Sequence, residues 1–189
     1  MSMRRIVLFL FMLMVSGLAA WPVTAHAQRI TLTNLVVDNQ EGRVKVRFGL
    51  DIKAEEAVRE ALTRGEVLAL ECKAVLGRKR DYVWNKDVAR AEMSSELVLH
   101  EGGPYQIVLP SRRQEHYRGR DVGLLMKEAW GTLSMDLGEW SQMERGFTYS
   151  LSLEIRLVRR EVPEWVKSTV FFWNFDVVPP VKYQLDFSY

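Results

Sequence analysis

The chain has 189 residues, with 26 basic and 24 acidic side chains and a single cysteine, Cys72. One cysteine excludes an internal disulfide bond, and so small a charge imbalance gives no argument for a nucleic-acid-binding protein. A chain of this length is sufficient for one domain with a hydrophobic core of its own.

The N-terminal residues have the three parts of a secretory signal peptide. Two basic residues, Arg4 and Arg5, precede the apolar run from Ile6 to Val15, and the segment ends in the small-x-small triplet Ala25-His26-Ala27. This order of charge, apolar segment and cleavage site is typical of exported proteins. We predict cleavage after Ala27, and therefore a periplasmic or secreted protein.

Removal of residues 1–27 leaves residues 28–189 as a single β-rich domain. Because two of the 26 basic residues lie in the signal, the mature chain has 24 basic against 24 acidic residues and is neutral. No later segment is long and apolar enough to span a membrane, so we expect no transmembrane segment after cleavage. The alternative is an uncleaved inner-membrane anchor, because residues 6–25 form a stretch of about 20 residues that is just long enough to cross a bilayer.

The first predicted strand pair follows the signal. Residues 43–52 alternate between apolar side chains, from Val44 to Ile52, and charged ones such as Arg43 and Lys45. Such alternation is typical of an antiparallel strand with one face in water. Residues 29–37 are its predicted partner, with the turn at residues 39–42.

The stretch of residues 54–76 changes its period at Gly65. Before Gly65, Val58 and Leu62 lie four residues apart in an apolar stripe, which predicts a helix. After it, apolar residues recur at every second position, which predicts a strand with Cys72 buried in the core. We interpret the junction as a structural corner in which Gly65 ends the helix in a left-handed conformation.

The remaining elements complete a mainly β fold. Strands are predicted at about 88–101, 105–109, 146–157, 168–177 and 181–189, and a second helix at 122–133 with Asp121 as its N-cap. With the earlier elements this makes about seven or eight strands and two short helices. Hairpin spacing and one-sided alternation predict an antiparallel β-sandwich. An immunoglobulin-like arrangement is one option, without the Cys–Trp–Cys signature of true immunoglobulin domains.

Several segments, taken in order, carry a resemblance to a known family. They are EEAVREALTRGEVLALECKAVL, RKRDYVWNKDVARAE, PYQIVL, WGTLS and FTYSLSLEIRLVRREVPEW, which together extend over nearly the whole mature chain. This order resembles the uncharacterised bacterial family called domain of unknown function 4390. Ala61-Leu62-Thr63-Arg64-Gly65 matches the family's helix ending in Ala-Leu-x-x-Gly, whereas Val67-Leu68 replaces its usual Pro-Leu.

The resemblance implies an exported or membrane-tethered envelope protein with no established activity and no known site residues. It also implies a role accessory to envelope signalling, because such proteins are encoded near membrane sensor kinases.

The sequence lacks the common catalytic and metal-binding motifs. No HExxH, GxSxG, CxxC or glycine-rich phosphate loop occurs, so we predict no catalytic residues, no metal site and no cofactor. His100 and His116 are the histidines that remain after signal cleavage. The alternative function is a small envelope hydrolase that uses His116 or His100, which needs a carboxylate or a nucleophile within hydrogen-bond reach.

Basic residues suggest a non-catalytic binding site at one pole of the sheet. If the strands that begin at Val67, Val88 and Tyr105 are consecutive antiparallel neighbours, the loops after the first and third lie at the same end. The candidate ligand-binding residues are Arg78, Lys79, Arg80, Arg112, Arg113 and Arg118, with Tyr82, Trp84 and Tyr117 nearby and Arg159 and Arg160 expected at the same end. Arginine forks and aromatic faces suit phosphate and carboxylate groups. The predicted partner is therefore an anionic lipid head group or an envelope protein with an acidic surface, and the alternative is a solvated loop end.

An aromatic segment is the second candidate surface. Residues 171–175 read FFWNF, and Trp165 precedes them. An exposed aromatic patch of this size would mark a partner or membrane face. The other interpretation, which the run of apolar residues favours, is a strand buried on both sides in the core.

Overall fold

The computed structural model describes residues 30–80, 84–110, 115–160 and 176–189. Its strands are β1 (Ile30–Gln40), β2 (Arg43–Ile52), β3 (Leu68–Arg78), β4 (Lys86–Leu99), β5 (Tyr105–Leu109), β6 (Glu115–Gly119), β7 (Leu133–Glu139), β8 (Thr148–Arg159) and β9 (Asp176–Ser188). Its α-helices are α1 (Glu55–Thr63) and α2 (Val122–Trp130), and a short 3-10 helix spans Trp140–Gln142. The predicted signal peptide, Tyr82 and the aromatic segment from Trp165 to Phe175 lie outside the described residues.

The strands form two antiparallel sheets. The smaller sheet has the order β1-β2-β7, and the larger has the order β6-β5-β4-β3-β8-β9. The predicted antiparallel β-sandwich with two short helices is therefore confirmed. The described ranges contain nine strands, where the sequence predicted seven or eight.

Strand β3 lies in the middle of the large sheet and has one buried face and one solvent-exposed face. It pairs with β4 and with β8 from Leu68 to Arg78. Leu70, Cys72 and Ala74 are buried on its inner face, whereas Glu71 and Lys73 are exposed on the outer face. Burial raises the pKa of the Cys72 thiol to about 12, so the thiol is neutral and packs as a small apolar group, as predicted.

The small sheet covers the inner face of the large one. Val44, Val46, Phe48 and Leu50 of β2 are each 3 % exposed or less, and they belong to the same core as the inner residues of β3 and β8. Removal of these side chains from water is the main favourable contribution to holding the sheets together. The period of two predicted for β2 is confirmed by this burial.

The first and last strands meet at one side of the sandwich. The hydroxyl of Tyr183 in β9 accepts a hydrogen bond from the backbone N–H of Leu32 at 3.0 Å. The same hydroxyl donates to the carbonyl oxygen of Ile30 at 3.4 Å. One side chain thus satisfies two backbone groups of the β1 edge that no strand partner covers in the described ranges.

The structure confirms the predicted end of α1 and the predicted start of α2. In α1, Val58 and Leu62 are buried, and the chain leaves the helix through Gly65, which has the predicted left-handed φ of +82°. In α2, the carboxylate of Asp121 accepts a hydrogen bond from the N–H of Leu124 at 2.9 Å, which confirms the predicted N-cap. Neither described helix has the length and apolarity needed to cross a membrane.

Two predictions about the middle of the chain are wrong. The second helix ends at Trp130, and Leu133 begins β7 instead of extending the helix. Leu133 fits helical spacing from Ala129, but it also begins the alternation Leu133, Met135, Leu137, which the sheet uses. The loop that we predicted to follow the strand at residues 105–109 contains β6, a short edge strand whose polar residues show no apolar alternation.

Candidate functional site

The predicted basic pole does not form as a single site. Arg78, Lys79 and Arg80 lie where β3 ends, and Arg78 stands opposite Lys86 of β4. Arg118 stands opposite Gln106, which stands opposite Val98, beyond the level at which β3 begins. Ten or so residues of strand therefore separate the two positions, roughly 35 Å at about 3.3 Å per residue.

The same register corrects the placement of two further arginines. Arg159 pairs with Leu68, and the N–H of Arg160 donates to the carbonyl of Val67, so both lie at the beginning of β3 and not at its end. Arg112 and Arg113 lie outside the described residues. The error arose because β5 is much shorter than β3 and β4: Val108, next to its last residue, lies level with Ala69 near the beginning of β3 and far from Arg78.

The structure instead places the beginning of β8 beside the end of β3. Arg78 pairs with Tyr149, and the N–H of Lys79 donates to the carbonyl of Thr148 at 2.8 Å. The residues just before β8, Arg145 and Phe147, are thereby brought to this end of the sheet. We call the resulting surface the basic–aromatic end; it consists of Arg78, Lys79, Arg80, Trp84, Lys86, Arg145 and Phe147.

Part of the basic–aromatic end is fixed by ion pairs. Arg78 donates to a carboxylate oxygen of Glu144 at 2.9 Å, and its guanidinium lies 4.4 Å from the centre of the Phe147 ring. Lys79 donates to Asp186 at 2.8 Å, and this hydrogen bond holds the pKa of the Asp186 carboxyl well below its usual range. These contacts orient the two side chains and neutralise their charges locally.

A buried tyrosine supports the turn that carries Glu144. The hydroxyl of Tyr149, whose residue is 1 % exposed, accepts from the N–H of Glu144 at 2.7 Å and donates to its carbonyl at 3.2 Å. The next residues are held by Tyr189, because the N–H of Gly146 donates to its carbonyl and Arg145 lies 6.0 Å from its ring centre. The position of the turn beside β3 is therefore set by specific contacts.

Other groups of this end remain available. Arg80 and Lys86 are exposed, and no carboxylate of the described residues lies within 4.0 Å of either cation. Trp84, between them in sequence, is 92 % exposed, and Phe147 is 40 % exposed. Uncompensated cations and exposed aromatic rings at the same end of a sheet can bind a phosphate or carboxylate group that also covers the rings.

The two histidines join a different hydrogen-bonded group. Nε2 of His100 lies 2.8 Å from Oε1 of Gln106, and Nε2 of Gln106 lies 3.0 Å from Nδ1 of His116. Both histidines are exposed, and the residue between them is an amide. Within the described ranges, neither ring has the carboxylate or nucleophile that a hydrolase requires, and no cluster of three or more His, Cys, Asp or Glu could hold a metal ion.

Sequence reasoning missed Arg145, Phe147 and Lys86 as members of the site. A signal for the first two was present, because a glycine between a basic and an aromatic residue directly precedes the clearest strand of the sequence. That signal was usable only with the knowledge that β8 pairs with β3. The pairing depends on contacts between residues about 70 positions apart, which local periodicity does not contain.

Comparison with known proteins identifies a family but no function. A family model described as Domain of unknown function (DUF4390) matches residues 27–185. No match was found among curated proteins or among solved structures. The match extends over both helices, β1 to β8 and all but the last three residues of β9, and it confirms the resemblance seen in the sequence. The chain belongs to the DUF4390 family.

Proposed function

We propose that this protein is an exported, non-catalytic binding module of the bacterial envelope. Its ligand is the anionic head group of a membrane lipid, which it binds through the basic–aromatic end. The observation that carries the proposal is the exposed ring of Trp84, between Arg80 and Lys86 in sequence, neither of which has a carboxylate partner among the described residues. A periplasmic or secreted location rests on the signal-peptide pattern, and a role accessory to envelope signalling rests on the family resemblance.

The physical argument concerns what each group gains at a lipid surface. Tryptophan prefers the boundary between head groups and acyl chains, where its ring is shielded and its N–H stays hydrated. Each Lys or Arg near an anionic membrane contributes about 1 kcal/mol to association. Since Arg78 and Lys79 already pair with Glu144 and Asp186, the cations of this end that can contribute this energy are Arg80, Lys86 and Arg145.

The test is sedimentation of the mature chain, residues 28–189, with lipid vesicles. We expect binding to vesicles that contain phosphatidylglycerol and none to vesicles of phosphatidylcholine alone. The double variant Arg80→Glu/Lys86→Glu should bind about 30-fold or more weakly, because two attractive charges become repulsive. The control is Arg118→Glu/Arg120→Glu, which makes the same charge change on exposed residues at the opposite end of the sheet.

Equal loss of binding in both double variants would show only a non-specific charge effect and would overturn the assignment to this end. A wild-type chain that ignores anionic vesicles would overturn the lipid proposal. If that chain instead captured an acidic envelope protein in a manner dependent on Arg80 and Lys86, the partner would be a protein.

A further inference from the structure

One strand of the large sheet has a long edge without a partner in the described ranges. β4 pairs with β3 from Lys86 to Leu97, but it pairs with β5 only from Glu96 to Leu99. β5 ends at Leu109, and Pro110 follows it. Within residues 30–80, 84–110, 115–160 and 176–189, no strand covers the outer edge of β4 between Lys86 and Ser95. Such an edge offers N–H and C=O groups to another strand.

A groove of about 840 Å³ runs beside this edge, between β4 and β7. Ala91, Met93 and Met135 contribute apolar surface to it. On its far side, Asp136 accepts hydrogen bonds from Arg43 at 2.5 Å and from Lys45 at 2.8 Å, so these charges satisfy one another. A strand added to β4 would therefore find backbone partners at the edge and apolar contacts on the inner side.

The side chains along the edge are complementary to themselves. Ala89, Ala91 and Met93 point to the inner face, while Arg90 and Glu92 are exposed on the outer face. Within one copy Arg90 lies 3.2 Å from Asp87 and Glu92 lies 3.0 Å from Lys73, and such exposed pairs contribute little and can be exchanged for pairs across the strand edge. When two such strands pair antiparallel with Ala91 opposite Ala91, Arg90 of each copy stands opposite Glu92 of the other. In the same register Ala89 stands opposite Met93, a small residue opposite a large one. Opposite charges directly across a strand pair are favourable.

The charges favour this register over those shifted by one residue. Shifting the centre of pairing by one residue, to Arg90, places two guanidinium groups opposite each other, which is unfavourable. With the centre at Ala91, odd-numbered residues lie opposite odd-numbered residues and even-numbered residues opposite even-numbered ones. Residues of the inner face therefore lie opposite residues of the inner face. A strand from an unrelated protein would require no such symmetry in β4, so the pattern favours a second copy of this chain as the occupant.

We propose that two copies of the protein pair through residues 89–93 of β4, about a two-fold axis at Ala91. The two large sheets then form one continuous sheet, with the same surface used by both copies. The axis sets the two β4 strands antiparallel, so the two basic–aromatic ends lie at opposite ends of the dimer. This dimer does not depend on the proposed lipid binding, because none of residues 89–93 belongs to the basic–aromatic end.

The test uses two single charge reversals and their mixture. In Arg90→Glu each copy presents two glutamates at the centre of the edge, and in Glu92→Arg each presents two arginines. Analytical ultracentrifugation of residues 28–189 should show a dimer for the wild type and a dimer Kd about 10- to 30-fold higher for either variant. An equimolar mixture of the two variants should dimerise again, because every pair across the axis then joins opposite charges.

Matched controls separate the interface from general charge effects. Arg47→Glu and Glu154→Arg make the same reversals on the outer faces of β2 and β8, and each also loses one ion pair, with Asp38 or Lys182. Both should dimerise as the wild type does. Recovery in the mixture cannot arise from misfolding, so it supports the proposal even if one variant is less stable.

A wild-type chain that stays monomeric at about 1 mM would overturn the dimer, since specific complexes associate well below that concentration. A dimer that neither reversal weakens would place the interface elsewhere. Weakened variants that do not recover when mixed would exclude the register centred at Ala91.

Discussion

The two ends of the large sheet have similar numbers of cations but use them differently. At the beginning of β3, Glu66 accepts hydrogen bonds from Arg64 at 3.0 Å and from Arg159 at 2.6 Å, and Arg160 pairs with Glu96. Helix α1 leads into this end and buries Leu62 in the core. At the basic–aromatic end, three of the five cations, Arg80, Lys86 and Arg145, have no carboxylate partner among the described residues.

The comparison shows that the count of basic residues does not identify a binding surface. Cations that are hydrogen-bonded to carboxylates contribute to the structure and are largely neutralised for an incoming anion. Cations beside exposed rings, without such partners, keep their charge available. The part of the sheet where α1 leads into β3 is therefore structural, and the end with Trp84 is a candidate binding end.

The largest effect should come from the core under the structural end. Leu62→Ala removes a side chain that is 1 % exposed and leaves a cavity, so the free energy of unfolding should fall by about 2–5 kcal/mol. Urea denaturation monitored by circular dichroism gives this value. Leu124→Ala in α2 is the control, because Leu124 is 68 % exposed and should cost less than about 1 kcal/mol. Equal costs at the two positions would contradict the assigned burial of α1.

A smaller and pH-dependent effect should come from Glu66. Burial raises the pKa of this carboxyl, but hydrogen bonds from Arg64 and Arg159 outweigh burial, and the net pKa is lowered. A carboxyl with a lowered pKa stabilises the fold above its unfolded-state pKa, and this contribution disappears as the pH falls through the folded-state pKa. Glu66→Gln should thus lower the free energy of unfolding by about 1 kcal/mol at pH 7 and by progressively less in acid.

The measurement for Glu66 is urea denaturation of both chains across a pH series. Glu56→Gln serves as the control, since Glu56 pairs with Arg59 on a strongly exposed surface and should change stability little at any pH. A Glu66→Gln deficit that stayed constant from neutral to acid pH would mean that the lost contact does not depend on the carboxylate charge.

The smallest effect on stability should come from replacing Trp84, whose ring is the most important one for the proposed function. Trp84 is 92 % exposed, so Trp84→Ala should change the free energy of unfolding by less than about 0.5 kcal/mol. The same variant should lose most of its binding to anionic vesicles. Trp130→Phe should, in contrast, lower the free energy of unfolding, because Trp130 is fully buried and its Nε1–H donates to the hydroxyl of Ser95 at 2.9 Å. A marked loss of stability in Trp84→Ala would indicate that the ring packs against the protein.

Strands with one buried face and one solvent-exposed face could be predicted from the sequence. β2, β3 and β8 each alternate over ten or more residues, because one face lies in the core and the other in water. β6 could not be predicted, since a short edge strand with mostly exposed residues needs no apolar alternation. β7 was not predicted, because Leu133 fits the spacing of a helix and that of a strand equally well.

The candidate site was predicted only in part, for a reason that concerns distance along the chain. Arg78 and Lys79 were identified, but their partners Glu144 and Asp186 lie 66 and 107 residues away. Which cations remain unpaired therefore depends on strand order and register, which a single sequence does not specify. Lateral strand order was needed in the same way to separate Arg118 from Arg78.

The hydroxyl of Tyr183 has a consequence for the order in which the protein can fold. It links β9 to Leu32 of β1 across 151 positions, so the first strand cannot complete its contacts until almost the whole chain has been synthesised. β3 likewise waits for β8, its partner from about 80 residues downstream. Contacts between residues so far apart in the sequence slow folding. The chain must lose the entropy of closing a long loop before strand pairing stabilises it. The pairing of β3 with β8 and the link from β9 to β1 therefore form only after the C-terminal strands have been synthesised.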